Sequence, residues 1–375
     1  MSKKTENRMK NKEGISVKER AVIVPDAAPA TPKHKKMSVG AKIAVIVLIL
    51  IAIVSIALMT VILIFNSLMS KVNSTTPWDQ EEIVLADRIN DMSVYEDELY
   101  LSSDAYEAAV QEILANYAEA SHDLQGCDDV YNYVFVGINT FNAESNGMAT
   151  MITVASFNDS TKEVKYLTFE EDILVYIPMV AKVGRLRDAY EWGGTALLCR
   201  TIQHNFGVKI NGYIEINLAG AAELIDKTGG LSIAVTDANT INTAIDNYNE
   251  KFGREVPHIT ATSGNVTMTG EQSLAYFRMG SDQMGTVLRT LANAVFKSGF
   301  KGMNSSFSVL TSSAKTAIVE EDFAIIVKMA AFSLKDSNVS SVHFGDVEDI
   351  FHRHFKVTMY KDYAAIKNAI NDTIN

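Results

Sequence analysis

Cysteine is nearly absent from this sequence: of 375 residues only Cys127 and Cys199 carry a thiol. Two cysteines so far apart exclude a zinc site built on cysteine pairs and a disulfide-dense framework. They either pair with one another or stay as two buried thiols. Proline is scarce too, and of the six present Pro25, Pro29 and Pro32 fall within the first 42 residues. No linker rich in Pro, Gly or Ser therefore divides the long remainder. The Gly-x-Ser-x-Gly elbow, the glycine-rich phosphate loop with its Lys, and the His-Glu-x-x-His pair are all missing, which leaves hydrolase and nucleotide-dependent readings without footing.

Charge is missing from Ile43 to Phe65, where nearly every residue is Ile, Leu, Val, Ala or Met. A helix needs roughly 20 apolar residues to cross a hydrocarbon core, and this run is apolar all round rather than along one stripe. The chain continues Asn66, Ser67, Leu68, Met69, Ser70, Lys71 with no Ala-x-Ala pattern, so the run reads as an uncleaved anchor. Residues 1–42 hold eleven Lys or Arg against four acids, net +7, which leaves −18 for everything after them in a chain of net −11. Basic flanks stay in the cytoplasm. The expectation is a single-pass plasma-membrane protein with a basic, disordered cytoplasmic tail at 1–42, a transmembrane helix at 43–65, and the rest outside. An outer part this acidic repels nucleic acid and other polyanions, so any phosphate-handling site must be a local exception.

Beyond the anchor, residues 66–127 read as a helical stalk or accessory segment, with Tyr106, Ala109, Val110, Ile113, Leu114 and Tyr117 at helical spacing. Texture changes at Tyr131. Continuous apolar runs predict strands over 133–138, 151–157 and 164–169, helices over 194–206 and 218–228, and a strand over 231–235 after the stop Gly229-Gly230. Strands and helices interleave, so residues 128–375 are expected to form one α/β domain with a mixed central β-sheet flanked by helices.

Four segments then carry a resemblance. These are the opening strand Tyr133 to Asn139; Arg185-Leu186-Arg187-Asp188-Ala189-Tyr190-Glu191-Trp192-Gly193-Gly194; Gly212-Tyr213 through Ile225-Asp226-Lys227-Thr228-Gly229-Gly230; and Met268-Thr269-Gly270-Glu271-Gln272-Ser273-Leu274-Ala275-Tyr276-Phe277-Arg278. In order and spacing they resemble the LytR-CpsA-Psr proteins of bacterial cell envelopes, from about Tyr131 to Ile370. The resemblance implies an apolar pocket for a polyprenyl-pyrophosphate-linked glycopolymer, arginines that clamp the pyrophosphate, carboxylates that hold Mg²⁺ or Mn²⁺, and transfer of the glycopolymer (teichoic acid or capsule-like) to peptidoglycan.

Several of the family's charged positions are replaced. The two metal carboxylates read Asn139 and Ala149, and Glu171 stands where the pattern has a phosphate-clamping Arg. The closing arginine motif keeps Arg278 and Arg289, whereas Gly280, Thr286 and Thr290 fill its other places. Arg185 keeps the charge of the family's Lys, and Arg187 adds one. Arg278, Arg289 and Arg185 are therefore the candidate phosphate clamps, with Arg187 a further one. Asp172, Asp188 and Asp282 are the acids from which a metal site would have to be rebuilt. The favoured expectation is lipid-glycan binding with catalysis impaired or lost, as a sensor, scaffold or partner of active paralogues. An active phosphotransferase, or an envelope sensor acting indirectly on transcription, is the alternative. Deleting residues 43–65 is expected to move the protein from the membrane fraction to the soluble one. Protease added to intact protoplasts should remove the part after Phe65, and an uncleaved chain would reverse the orientation.

Overall fold

A computed structural model of the chain describes residues 77–86, 104–118, 128–142, 147–298, 305, 308–309, 313–333, 339–343, 347–352 and 355–374. The expected tail, the apolar run 43–65 and Cys127 lie outside these residues. Among the described residues no helix is long and apolar enough to cross a membrane.

Helix α1 (Asp104–Tyr117) precedes three strands, β1 (Val130–Ile138), β2 (Ala149–Asn158) and β3 (Glu163–Phe169). These are the three apolar runs, joined antiparallel in sequence order. The second turn is set by Asn158, whose Oδ1 accepts the backbone N–H of Ser160 at 2.9 Å and Thr161 at 3.0 Å, the usual work of Asn in turns. A short hairpin follows, β4 (Leu174–Ile177) and β5 (Lys182–Arg185), then helix α2 (Leu186–Phe206). The chain continues through β6 (Gly212–Asn217), α3 (Leu218–Lys227), β7 (Leu231–Val235), α4 (Ala238–Phe252), β8 (Gly264–Met268), α5 (Gly270–Phe277) and α6 (Ser281–Lys297). It closes with β9 (Ala314–Thr316), α7 (Glu320–Phe332), β10 (Val339–His343), the hairpin β11 (Val347–His352) and β12 (Phe355–Tyr360), and α8 (Tyr363–Ile374).

The central sheet has the order β10-β3-β2-β1-β6-β9. Neighbours β1/β6 and β10/β3 are parallel and the others antiparallel, so the sheet is mixed and the expected fold class is found. Alternation along β1 sends Val134, Val136 and Ile138 to one face, where they meet Leu197 and Ile202 of α2, Ile113 of α1 and Ile370 of α8. Tyr133 points the other way, to Phe157, Val164 and Met329 of α7. Part of the segment read as a stalk thus lies in the core of the domain: α1 buries Ala109, Ile113 and Tyr117. Residues 77–86 also lie against the domain, Trp78 donating Nε1–H to Ile210 O at 3.0 Å and Ala86 its N–H to Trp192 O at 2.8 Å.

Helix α2 starts eight residues before the expected Gly194, at Leu186. The Gly193-Gly194 pair does not end it but breaks it locally, Gly194 adopting φ 68° and ψ −166°, a region open essentially to glycine alone. Cys199, on the second half of α2, is a free buried thiol whose pKa burial pushes up.

A second layer, α3 to α6 with the antiparallel pair β7 and β8, gathers its own apolar cluster around Ile225, Ile233, Ile245 and Leu274. Its tightest point is Gly270. Asp226 Oδ1 accepts the Gly270 N–H at 2.7 Å, and a Cβ there would stand 2.2 Å from Ala222 O. Gly270→Ala is therefore expected to force α3 and α5 apart and to lower stability by about 1–3 kcal/mol. Denaturant midpoints measure this, and an unchanged midpoint would show that the two helices part at no cost.

Candidate functional site

Strands β1 and β6 run side by side to their carboxyl ends, where Ile138 faces Asn217. Just beyond, the Leu218 N–H donates to Thr140 O at 3.0 Å, which ties the two exits together. Phe141 then meets Tyr248 and Phe252 of α4 edge to face, with ring centroids 6.2 and 5.8 Å apart. Cations crowd these rings. The Arg254 guanidinium lies 4.5 Å from the Phe141 centroid, and on Phe252 the Arg278 guanidinium lies at 5.2 Å and Lys251 Nζ at 5.8 Å. Contacts of this kind are favourable because the ring face is electron-rich.

Arg278 caps the carboxyl end of α5 and donates Nη1–H to Asn139 Oδ1 at 3.3 Å. Asn139, expected from the resemblance at a metal position, orients an arginine. Arg254 is held by Glu271 through bonds of 3.0 and 2.5 Å. Burial lowers the Lys251 amine from its ordinary range, Arg278 and Arg187 push in the same direction, and Glu171 opposes them. Arg187, Lys251, Arg278 and Glu171 therefore share one electrostatic neighbourhood.

Arg185 stands elsewhere in the chemistry. It is buried, and its Nη2 and Nε reach Asp188 at 2.8 and 3.1 Å, while Asp188 Oδ2 accepts the Arg185 backbone N–H at 2.8 Å. Asp188 thus closes the first turn of α2, accepting from both the backbone and the guanidinium of Arg185. Arg185 also lies 3.9 Å from Asp172, and Arg187 Nη2 lies 2.9 Å from the same carboxylate. Arg185, expected to clamp a phosphate, therefore has its charge spent on Asp188 inside the fold. Arg289 is exposed on α6 and donates Nε–H to Gly285 O of its own helix at 3.3 Å.

The donor set does not fit a divalent cation. Ala149 is fully buried in β2 and offers no oxygen beyond its backbone. Asp172 and Asp188 face arginines, and Asp282 is exposed on α6. Among the described residues no three His, Cys, Asp or Glu side chains converge, so Asp172, Asp188 and Asp282 do not assemble a shell for Mg²⁺ or Mn²⁺, which takes its ligands from several oxygens at once. A cleft of about 460 Å³ opens next to the Arg254–Glu271 pair, lined also by Asp226, Glu255, Pro257 and Thr269.

The sequence reading assigns no helix to residues 238–252 and so misses Lys251, Tyr248 and Phe252. The signal was available in the spacing of Ile241, Ile245, Tyr248 and Phe252, which form one apolar stripe packed in the second layer.

Comparison with known proteins gives consistent results. The LytR_cpsA_psr family profile matches residues 99–322. A polyisoprenyl-teichoic acid–peptidoglycan teichoic acid transferase, TagU of Enterococcus faecalis, is 28% identical over 151 residues, 40% of this chain and 45% of the relative. Biofilm regulatory protein A of Streptococcus mutans is 27% identical over 162 residues, 40% of this chain and 38% of the relative. The chain spans about half the length of the curated relatives it matches. The solved structure of TagT bound to LI-WTA has the same fold, with a TM-score of 0.53 at 15% identity, covering 69% of this chain and 96% of that one.

Glu171 offers a test of the site's electrostatics. Burial raises its carboxyl above the ordinary range, Asp172 adds to this, and Arg187 opposes it. The charged form is thus disfavoured in the folded protein, so its contribution to stability is present below the ordinary carboxylate pKa and is lost as pH rises through the raised value. Glu171→Gln is expected to raise Tm at neutral pH and to leave it unchanged below about pH 4. A shift of equal size at both pH values would sink this account.

Proposed function

Because this chain belongs to the LytR_cpsA_psr family, we propose that it binds a polyprenyl-(pyro)phosphate-linked cell-wall glycopolymer at the outer face of the plasma membrane, without turning it over. Residues 43–65 anchor it there as a single span with the basic tail inside. Its partners are the membrane, the lipid-linked glycan, the peptidoglycan beside which that glycan is attached, and active paralogues that complete the transfer.

The observation that carries this reading is Arg278, which is exposed, positioned by Asn139 and stacked on Phe252, where its fork can bind phosphate oxygens. Binding is supported further by the relatives' names, since TagU is named for moving teichoic acid from a polyisoprenyl carrier to peptidoglycan. Loss of turnover is supported by the metal positions. Transfer from a pyrophosphate needs charge on the leaving phosphate neutralised. Here one carboxylate position is an amide that serves Arg278 and the other is a buried alanine.

Full-length protein purified in mild detergent is expected to carry a polyprenyl phosphate detectable by mass spectrometry, and Arg278→Ala is expected to lose most of it. Supplied with a pyrophosphate-linked glycan and Mg²⁺ or Mn²⁺, the protein should release no phosphate above background. An empty preparation would sink the binding reading. Phosphate release abolished by Arg278→Ala would replace it with an active transferase.

A further inference from the structure

Among the described residues five cations surround the aromatic cluster and the start of α2, and three of them are accounted for. Arg185 is paired with Asp188, Arg187 with Asp172 and Arg254 with Glu271. The remaining two, Lys251 and Arg278, form no ion pair among the described residues. Both are exposed, and both stand on the same ring, Phe252. Two like charges gathered on one ring repel each other, and the ring offsets only part of that repulsion. A dianionic group bound between them would remove it.

Resting on the binding reading above, we propose that Lys251 is a phosphate-contacting residue of this site, gripping a phosphate or pyrophosphate ester jointly with Arg278 over the Phe252 ring. The lysine stands in the last turn of α4, which stops at Gly253 in the left-handed conformation. Its compact ammonium on a flexible stem supplies charge without fixed directionality, whereas the guanidinium of Arg278 supplies the directed fork. Glu171 lies in the same neighbourhood and favours the charged form of both cations, so its own negative charge offsets part of what Arg278 alone would present. Lys251 restores the excess that the family's replaced arginines would have given.

The experiment uses the full-length protein in detergent micelles and two probes, inorganic pyrophosphate and farnesyl pyrophosphate, titrated by calorimetry. Lys251→Gln is expected to weaken both about tenfold, to flatten the dependence of affinity on salt, and to leave the melting temperature in place. Lys251→Arg should restore most of the loss. Weakening confined to farnesyl pyrophosphate assigns the lysine to a lipid headgroup rather than to free phosphate, and still supports it as a contact. Unchanged affinity for both probes in Lys251→Gln overturns the proposal. If Arg278→Ala loses binding in that case, the broader reading of the site survives. If neither variant changes affinity, that reading falls as well.

Discussion

The parallel pairing of β1 with β6, running from Tyr133 opposite Gly212 to Ile138 opposite Asn217, brings two separate chain segments to an end at the same level of the sheet. Parallel neighbours cannot be joined by a hairpin, so the chain between them must cross over. Here the crossover contains the β4/β5 hairpin and α2, and with them Asp172, Arg185, Arg187 and Asp188. Both exits at the carboxyl ends then lead to the second layer, through Phe141 on one side and α3 on the other. Open α/β sheets place ligands at such a level because loops from different strands converge there. Slipping the β1/β6 register by one residue would carry Phe141 away from α4 and separate Asn139 from Arg278.

Within this frame the charges divide by depth. At the buried start of α2, Arg185, Asp188, Asp172 and Arg187 neutralise one another, as buried charge requires when water is excluded. Above the aromatic rings, Lys251 and Arg278 face solvent and form no ion pair among the described residues, with Glu171 the carboxylate of their neighbourhood. The first set shapes the turn that opens a helix, and the second is free to meet an anion. An overall charge of −11 hides this division, because a local pair of cations changes the field where a ligand sits without changing the sign of the whole.

Parts of this organisation could be read directly from residues. The apolar runs of β1, β2, β3 and β7, and the Gly229-Gly230 stop after α3, have signals within a few residues of themselves. The β4/β5 hairpin is only four residues to a strand, too short for alternation to register. Helix α2 looks as if it begins at Gly194, because a glycine pair normally ends a helix and here only kinks one. The β10 pairing with β3 joins residues more than 150 positions apart and leaves no local trace. At the site, Arg278 was legible from its motif, while the fate of Arg185 was not. A motif shows that a charge is present, and only the packing shows that Asp188 holds it.

Gly270 links these levels in a mechanical sense. Helix α5 is a rod of eight residues, about 12 Å long at 1.5 Å per residue, with the backbone contact to α3 at one end and Arg278 at the other. A short rod pressed against a neighbour at its foot acts as a lever, so a displacement at Gly270 is delivered to the guanidinium at the tip. The reach of Arg278 over Phe252 is thereby set by the absence of a methyl group one helix length away, and the grip on a ligand can be retuned there with no charge altered.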